Sequence, residues 1–291
     1  MLTLCFFATV LLSCSQSMLT KLYCNKYSDV WVFNLEKSLF AFLLFALASL
    51  INSGGYTFHI PTFIYALVYA MSLMMSMVSG FFALACGPMS LTSLIVSFSL
   101  VLPSVYGIGV LGESLTAYKL TGFALLAASL ILFNIKKGVG NDRITAKWAL
   151  FTALTLVSNG VFAIVQKMHQ NSFPGEYTSE FMRDATLICT LIFLAVTLIT
   201  RARRPKKERE AEKGMSAHIY GITAGLANSG SNFFTLLLSG MADASAVFPM
   251  ISAGTAVAVF LAGTVFFKEK QSIIRFIALA LGVASVVLLK I

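Results

Sequence analysis

Apolar runs of about 20 residues recur along the whole chain and leave little room for charge between them. Residues 272–290, for example, read SIIRFIALALGVASVVLLK. A helix of that length spans the roughly 30 Å hydrocarbon layer of a bilayer. Inside lipid the backbone must satisfy its own hydrogen bonds, which leaves helices or a closed barrel. These runs are continuous rather than alternating, so helices are predicted.

The composition excludes an ordinary soluble domain. Of the 291 residues 58% are hydrophobic and 11% charged, and the mean hydropathy is +0.85. Soluble domains carry roughly 25% charged residues. The net charge of +9 does not indicate nucleic-acid binding, because seven of the 21 Lys and Arg residues lie in one segment, RARRPKKEREAEK at 201–213. We interpret that segment as a loop beside anionic lipid headgroups.

Ten apolar segments are separated by short loop signals, and no soluble domain fits between them. We predict spans near residues 2–22, 31–52, 61–86, 89–111, 117–135, 147–168, 181–200, 216–239, 245–267 and 272–290. The predicted fold class is an all-α integral membrane protein. Its ten transmembrane helices would form two inverted five-helix repeats around a central cavity.

The second half of the chain repeats the first. Glu113 and Glu269 each follow one apolar run and precede another, and setting Lys21 on Lys167 also sets Ser13 on Asn159, Thr20 on Gln166 and Asn25 on Asn171. The predicted repeats are residues 1–138 and 139–291. Because five spans is an odd number, the second repeat enters the membrane upside down. Secondary transporters often use this plan, with substrate bound near the midplane between the repeats.

Two stretches carry a family resemblance. Residues 244–289, ASAVFPMISAGTAVAVFLAGTVFFKEKQSIIRFIALALGVASVVLL, resemble the second repeat of the EamA type in the drug/metabolite transporter superfamily. Residues 92–132, TSLIVSFSLVLPSVYGIGVLGESLTAYKLTGFALLAASLIL, are similar to its first-repeat version. The resemblance implies ten helices, a central cavity and movement of small metabolites or drugs, often in exchange for protons.

Polar residues line up on one face of several predicted spans. An amide that faces lipid is costly, so such residues should face protein or a watery path. The alternative is helix–helix packing, for which small and hydroxyl residues are common. The predicted substrate-binding residues are Asn159, Gln166, Asn228, Ser231, Asn232, Tyr69, Ser72, Ser76 and Ser97.

Three glutamates are assigned separate roles. Glu36 looks like the one carboxylate embedded in a span, and it is the candidate coupling residue for a proton. An interfacial acid held by water or a lysine is the alternative. Lys37 is adjacent but points about 100° away on a helix, so it need not be the partner. Glu113 and Glu269 stand before helices, and capping of a helix N-terminus with anchoring of the loop is their predicted role. Direct substrate contact is the alternative.

The predicted function is secondary-active or facilitative transport of small organic metabolites, such as amino acids, nucleosides, sugars or drug-like molecules. The alternative is a membrane-embedded lipid-modifying or lipid-translocating protein. No cluster typical of catalysis or metal binding is found in the sequence, so neither an enzyme nor a metal or other cofactor is expected. Expected partners are a small-molecule substrate, membrane lipids and a proton as candidate coupling ion, for a monomer or homodimer that binds no nucleic acid.

Localisation follows from the spans, whereas orientation does not. We expect a multi-pass protein of a cell membrane, the bacterial inner or plasma membrane. Lys and Arg concentrate in the odd-numbered loops, and the positive-inside rule then places both termini outside. The family resemblance implies both termini inside. Direction of transport and cargo stay open.

Overall fold

Ten α-helices form the described part of the chain. The computed structural model describes all residues except 1, 28, 54–57, 88–91, 93–94, 97, 135–144, 204–214, 267–272 and 291. In chain order the helices are α1 Leu2–Cys24, α2 Val30–Ser53, α3 Ile60–Cys86, α4 Val101–Gly109, α5 Ala117–Asn134, α6 Ala146–Ser172, α7 Thr178–Arg203, α8 Met215–Met241, α9 Ala244–Phe266 and α10 Ile273–Lys290. A 3₁₀ turn, Phe98–Leu100, precedes α4, and the described residues contain no β-strand.

Local sequence explains where several helices begin. Asp29 Oδ1 accepts hydrogen bonds from the backbone N–H groups of Trp31 and Val32, each at 3.2 Å, which caps α2. The Thr145 hydroxyl accepts from Trp148 N at 3.1 Å and caps α6 in the same way. Side-chain oxygens at these positions satisfy N–H groups that have no partner within the helix.

Nine of the ten predicted spans match a described helix within a few residues. The fourth span is described only in part: Thr92, Ile95 and Val96 are helical, a 3₁₀ turn follows, and Val101–Gly109 forms the nine-residue α4. Pro103 is the third residue of α4, where the missing proline N–H costs no intrahelical hydrogen bond. Pro249, by contrast, lies inside the continuous helix α9.

The described helices expose apolar side chains and bury polar ones. Leu4 is 75% exposed and Ile51 72%, whereas Gln166 is fully buried. A soluble protein shows the opposite trend. Six helices (α1, α2, α3, α6, α7 and α9) are long and apolar enough to cross a bilayer. Amides and hydroxyls lower the hydropathy of α8, which is 27 residues long. The chain is a helical multi-pass membrane protein.

The interior is built from long helix pairs. The principal pairs are α1 with α8, α3 with α6, α2 with α7 and α8, α3 with α7, α5 with α10, and α9 with α1, α4 and α10. Helices α1 and α8 run antiparallel, because Cys5 shares a core cluster with Leu238 while Ser13 contacts Ser231. Helices α3 and α6 are also antiparallel.

Close approach of α2 and α8 depends on a glycine. A Cβ atom added at Gly225 would lie 2.8 Å from the Lys37 carbonyl oxygen and 3.0 Å from its Cα. Backbone atoms cannot rotate away as a side-chain end can. At Gly80 on α3 an added Cβ would meet Thr155 Cγ2 at 3.5 Å, an ordinary contact. Gly225 therefore sets how closely these two helices pack.

We predict that Gly225→Ala lowers the free energy of unfolding by about 1–3 kcal/mol, the usual cost of overpacking. Thermal unfolding of the purified protein in detergent would measure it. Gly80→Ala is the matched control inside another helix and should leave stability unchanged or slightly raised, since Ala is the better helix former. Equal melting temperatures for the two variants would contradict the role of Gly225.

Candidate functional site

A cavity of about 260 Å³ lies in the middle of the helix bundle. It is lined by α1, α2, α3, α6, α8 and α9 together with the segment around α4. The polar residues in its wall are Ser13, Gln16, Ser17, Thr20, Asn34, Lys37, Ser76, Thr92, Ser99, Thr155, Asn159, Gln166, Asn228, Ser231, Asn232, Thr235, Ser252 and Thr255. Aromatic and aliphatic side chains, among them Phe33, Phe162 and Phe248, complete the wall.

Two short hydrogen bonds join helices across this wall. The hydroxyl oxygens of Ser13 on α1 and Ser231 on α8 lie 2.5 Å apart. The Ser76 hydroxyl on α3 donates to Asn159 Oδ1 on α6, also at 2.5 Å. Each bond joins a helix of the first half to one of the second. Behind Ser76, the Thr155 hydroxyl donates to Ser79 at 2.8 Å and ties α6 to α3 again.

Gln166 carries an unsatisfied polar atom beside the cavity. The side chain is fully buried, and its Nε2 donates weakly to Asn232 O at 3.4 Å and to the Tyr69 hydroxyl at 3.5 Å. Gln166 Oε1 has no hydrogen-bond partner. The hydroxyl of Thr255, also in the wall, has none either. Buried polar groups normally find partners, so both atoms are free to meet a bound molecule.

Six of the nine predicted substrate-binding residues line the cavity: Asn159, Gln166, Asn228, Ser231, Asn232 and Ser76. Tyr69 is fully buried behind the wall, where it contacts the wall residues Gln166 and Phe162. Ser72 lies outside the cavity wall, and its hydroxyl donates to Val68 O of its own helix at 3.0 Å. Ser97 lies outside the described residues.

Lys37 is the charged residue of the cavity wall that the sequence analysis did not assign to the site. It lines the cavity and is only 4% exposed. Asn34 lies three residues earlier on the same face of α2 and lines the cavity too. This i, i+3 pair of polar residues inside an apolar span was the signal that could have identified the face.

The Glu36 side chain does not line the central cavity. Its Oε1 contacts His218 Nδ1 on α8, in a small pocket that also contains Arg201 and Asp29. The Glu36 side chain is 16% exposed. Nor is Glu36 the one embedded carboxylate, because Asp184 on α7 is 2% exposed and accepts from Arg183 Nε at 2.8 Å. Arg183 in turn donates to the Ser49 hydroxyl on α2 at 2.9 Å.

Glu113 caps a helix of the opposite half. Its two carboxylate oxygens accept from the backbone N–H groups of Ala244 and Ser245, both at 2.8 Å, at the start of α9. Lys167 Nζ lies 3.8 Å from Glu113 Oε1. The sequence analysis expected the cap on the helix that follows Glu113 in the chain, α5, whereas these bonds go to α9. Glu269 lies outside the described residues.

Lys119 strengthens the same contact between the halves. Its Nζ donates to Asp243 Oδ2 at 2.8 Å and to the Ser245 hydroxyl at 3.1 Å. Asp243 directly precedes α9, and its carbonyl accepts the first backbone bonds of that helix. The start of α9 is therefore held by Glu113 and Lys119, both from the first half of the chain.

Comparison with known proteins identifies the fold alone. No family model matches the chain, and no curated protein matches it by sequence. The crystal structure of another protein superposes on the chain with a TM-score of 0.70. The match covers 99% of this chain and 96% of the other at 18% sequence identity. The chain is therefore similar to that structure over nearly its whole length.

We predict that Glu113→Gln lowers the free energy of unfolding by about 1–2 kcal/mol, since a neutral amide holds the positive end of α9 less well than a carboxylate. Thermal unfolding in detergent measures the change. Glu176→Gln, at an exposed loop position, is the matched control and should stay within about 0.5 kcal/mol of the wild type. Equal loss in both variants would contradict the capping role.

Proposed function

We propose that the protein is a secondary-active or facilitative transporter of small organic solutes. It would work by alternating access between two inverted repeats, residues 1–138 and 139–291. The central cavity, lined with amides and hydroxyls from both halves, is the observation that carries the proposal. Its volume of about 260 Å³ is slightly below the roughly 300–1,000 Å³ of drug-sized ligand sites, which suits a small solute.

The helix contacts support the repeat. In a repeat of five helices, α1 corresponds to α6, α2 to α7, α3 to α8 and α4 to α9. The packed pair α1–α8 then corresponds to α6–α3, α2–α8 to α7–α3, and α1–α9 to α6–α4, and all of these are packed pairs too. The pairs α2–α7, α4–α9 and α5–α10 map onto themselves. The exception among the principal pairs is α9–α10, since α4 and α5 do not form a packed pair in the described residues. The other pairs correspond as an internal repeat predicts.

Individual hydrogen bonds repeat as well. Lys21 Nζ at the end of α1 donates to Leu84 O and Gly87 O at 2.8 and 3.0 Å. Lys167 Nζ at the end of α6 donates to the carbonyls of Ser239 and Ala242, both at 3.1 Å. In each half, then, a lysine near the end of one helix binds two carbonyl oxygens at the C-terminal end of another. The lysine of α1 binds α3, and the lysine of α6 binds α8. The alignment that matches these lysines and carbonyls also matches Ser13 with Asn159 and Ser76 with Ser231. The Ser13–Ser231 bond of one half therefore corresponds to the Asn159–Ser76 bond of the other.

Helix direction supports inversion of the second repeat. Lys21 holds the C-terminal ends of α1 and α3 together, and Lys167 does the same for α6 and α8. Since α1 is antiparallel to α8, and α3 to α6, the first-half pair runs opposite to the second-half pair. Opposed halves with a shared central site are the arrangement of many alternating-access transporters.

We propose membership of the drug/metabolite transporter superfamily, because residues 92–132 and 244–289 resemble its two repeats. On the same resemblance we propose a bacterial inner or plasma membrane as the location. The lipid-modifying or lipid-translocating alternative has no specific observation in its favour. The two classes are separated by the first experiment below.

We expect the protein reconstituted in liposomes to take up a solute from a labelled mixture of amino acids, nucleosides and sugars. Asn159→Ala removes a cavity amide and the acceptor of the Ser76 hydroxyl, and should lower initial uptake about two- to tenfold. Ser72→Ala, outside the cavity wall, is the matched control and should transport normally. Movement of a fluorescent phospholipid between leaflets without solute uptake would contradict the transporter proposal and favour the alternative.

Proton coupling through Glu36 is tested in the same liposomes. With coupling, an imposed pH gradient drives accumulation in the wild type, and Glu36→Gln abolishes the gradient response while leaving downhill exchange, because the Gln amide cannot take up and release the proton. His218→Gln, which removes the residue that Glu36 contacts, is the companion variant. Accumulation by Glu36→Gln equal to the wild type would exclude Glu36 as the coupling residue.

A further inference from the structure

Lys37 places its side-chain amine in the cavity wall with no partner among the described residues. It is 4% exposed, and in the described part of the chain it makes no hydrogen bond or ion pair. Among the described lining residues it is the sole charged side chain. The neighbouring carboxylate of Glu36 is directed to His218 in a separate pocket. The residues that the structure describes therefore leave the Lys37 amine without an acceptor or a counter-ion.

Burial disfavours the ammonium form of a lysine, and an anion bound beside it stabilises that form. Close packing prevents the residue from relocating, because the Lys37 backbone lies against Gly225 of α8. A charge kept at such a position, facing a polar cavity, is best explained by the molecule that enters the cavity.

We propose that the cavity binds a small monoanionic solute through Lys37, with a carboxylate as the charged group. A single lysine provides one point charge, which matches a carboxylate. Phosphate recognition more often recruits arginine forks or several cations. The inference rests on the proposed transport function and names the class of solute that this site would carry.

The remainder of the wall defines the rest of the solute. Phe33, Phe81, Phe162 and Phe248 provide apolar and aromatic surface for a hydrophobic body. Gln166 Oε1, which lacks a donor, suits an N–H or O–H group on the same molecule. A small amphipathic carboxylate with one donor group, such as an N-acylated hydrophobic amino acid, meets all three requirements.

The test compares acids with their neutral amides on the purified, full-length protein in detergent. N-acetylphenylalanine is paired with N-acetylphenylalaninamide, and benzoate with benzamide, at constant ionic strength and up to about 10 mM, enough to occupy a millimolar site. We expect at least one acid to raise the melting temperature and its amide to have no effect.

Two variants at position 37 and one control locate the effect. Lys37→Met keeps length without charge and should weaken acid binding by about tenfold or more, the value of a charged hydrogen bond. Lys37→Arg keeps a cation at this position and should retain part of the acid binding. Lys147→Met, an exposed lysine at the start of α6, should bind like the wild type. Lys37→Met should also melt no lower than the wild type without ligand, because it removes an unpaired buried charge.

The inference would be overturned if amides stabilised the protein as well as acids, if Lys37→Met bound acids as tightly as the wild type, or if no acid stabilised the wild type. Since binding is measured without a membrane, the outcome is independent of transport. Uptake of a neutral solute would leave the transporter proposal standing while this inference failed. Acid binding without any solute flux would support this inference and contradict the transporter proposal.

Discussion

A polar group in hydrocarbon has no solvent partner, and this constraint arranges the rest of the molecule. Amides, hydroxyls and lysines on the described helices must bind one another or face a shared interior space. The cross-helix bonds of Ser13 with Ser231 and of Ser76 with Asn159 are the direct result. The cavity is where the same residues remain incompletely paired, so packing and binding draw on one set of side chains.

The two halves contribute unequally to this cavity. At matched positions of α1 and α6 the first half offers Ser13 and Thr20, and the second offers Asn159 and Gln166. In α3 and α8 the contrast is larger, with Leu73 and Met77 against Asn228 and Asn232. Four of the six amides in the wall therefore come from the second half, whereas the amine of Lys37 comes from the first. A solute held by both would have a fixed orientation between them.

Sequence predicted the local features and missed the long-range ones. Helix bounds followed from apolar runs, because a span is a property of its own residues, and the amide positions followed from the cost of exposing amides to lipid. The sequence analysis assigned a functional role to Glu36, whereas Lys37 is the residue of this pair that lines the cavity. One step along a helix turns a side chain by about 100°, and packing against neighbouring helices decides which face of α2 lies inside. Likewise, nothing near Glu113 indicates that its partner N–H groups lie at Ala244 and Ser245.

The cap on α9 has a consequence for how such a chain is assembled. Asp243 precedes α9, but its carboxylate is engaged by Lys119, and the first N–H groups of the helix bind Glu113. The start of α9 is thus completed by residues made more than a hundred positions earlier. Residues 139–291 made alone would leave these donors open. The start of α9 is complete only once the first half of the chain lies beside it.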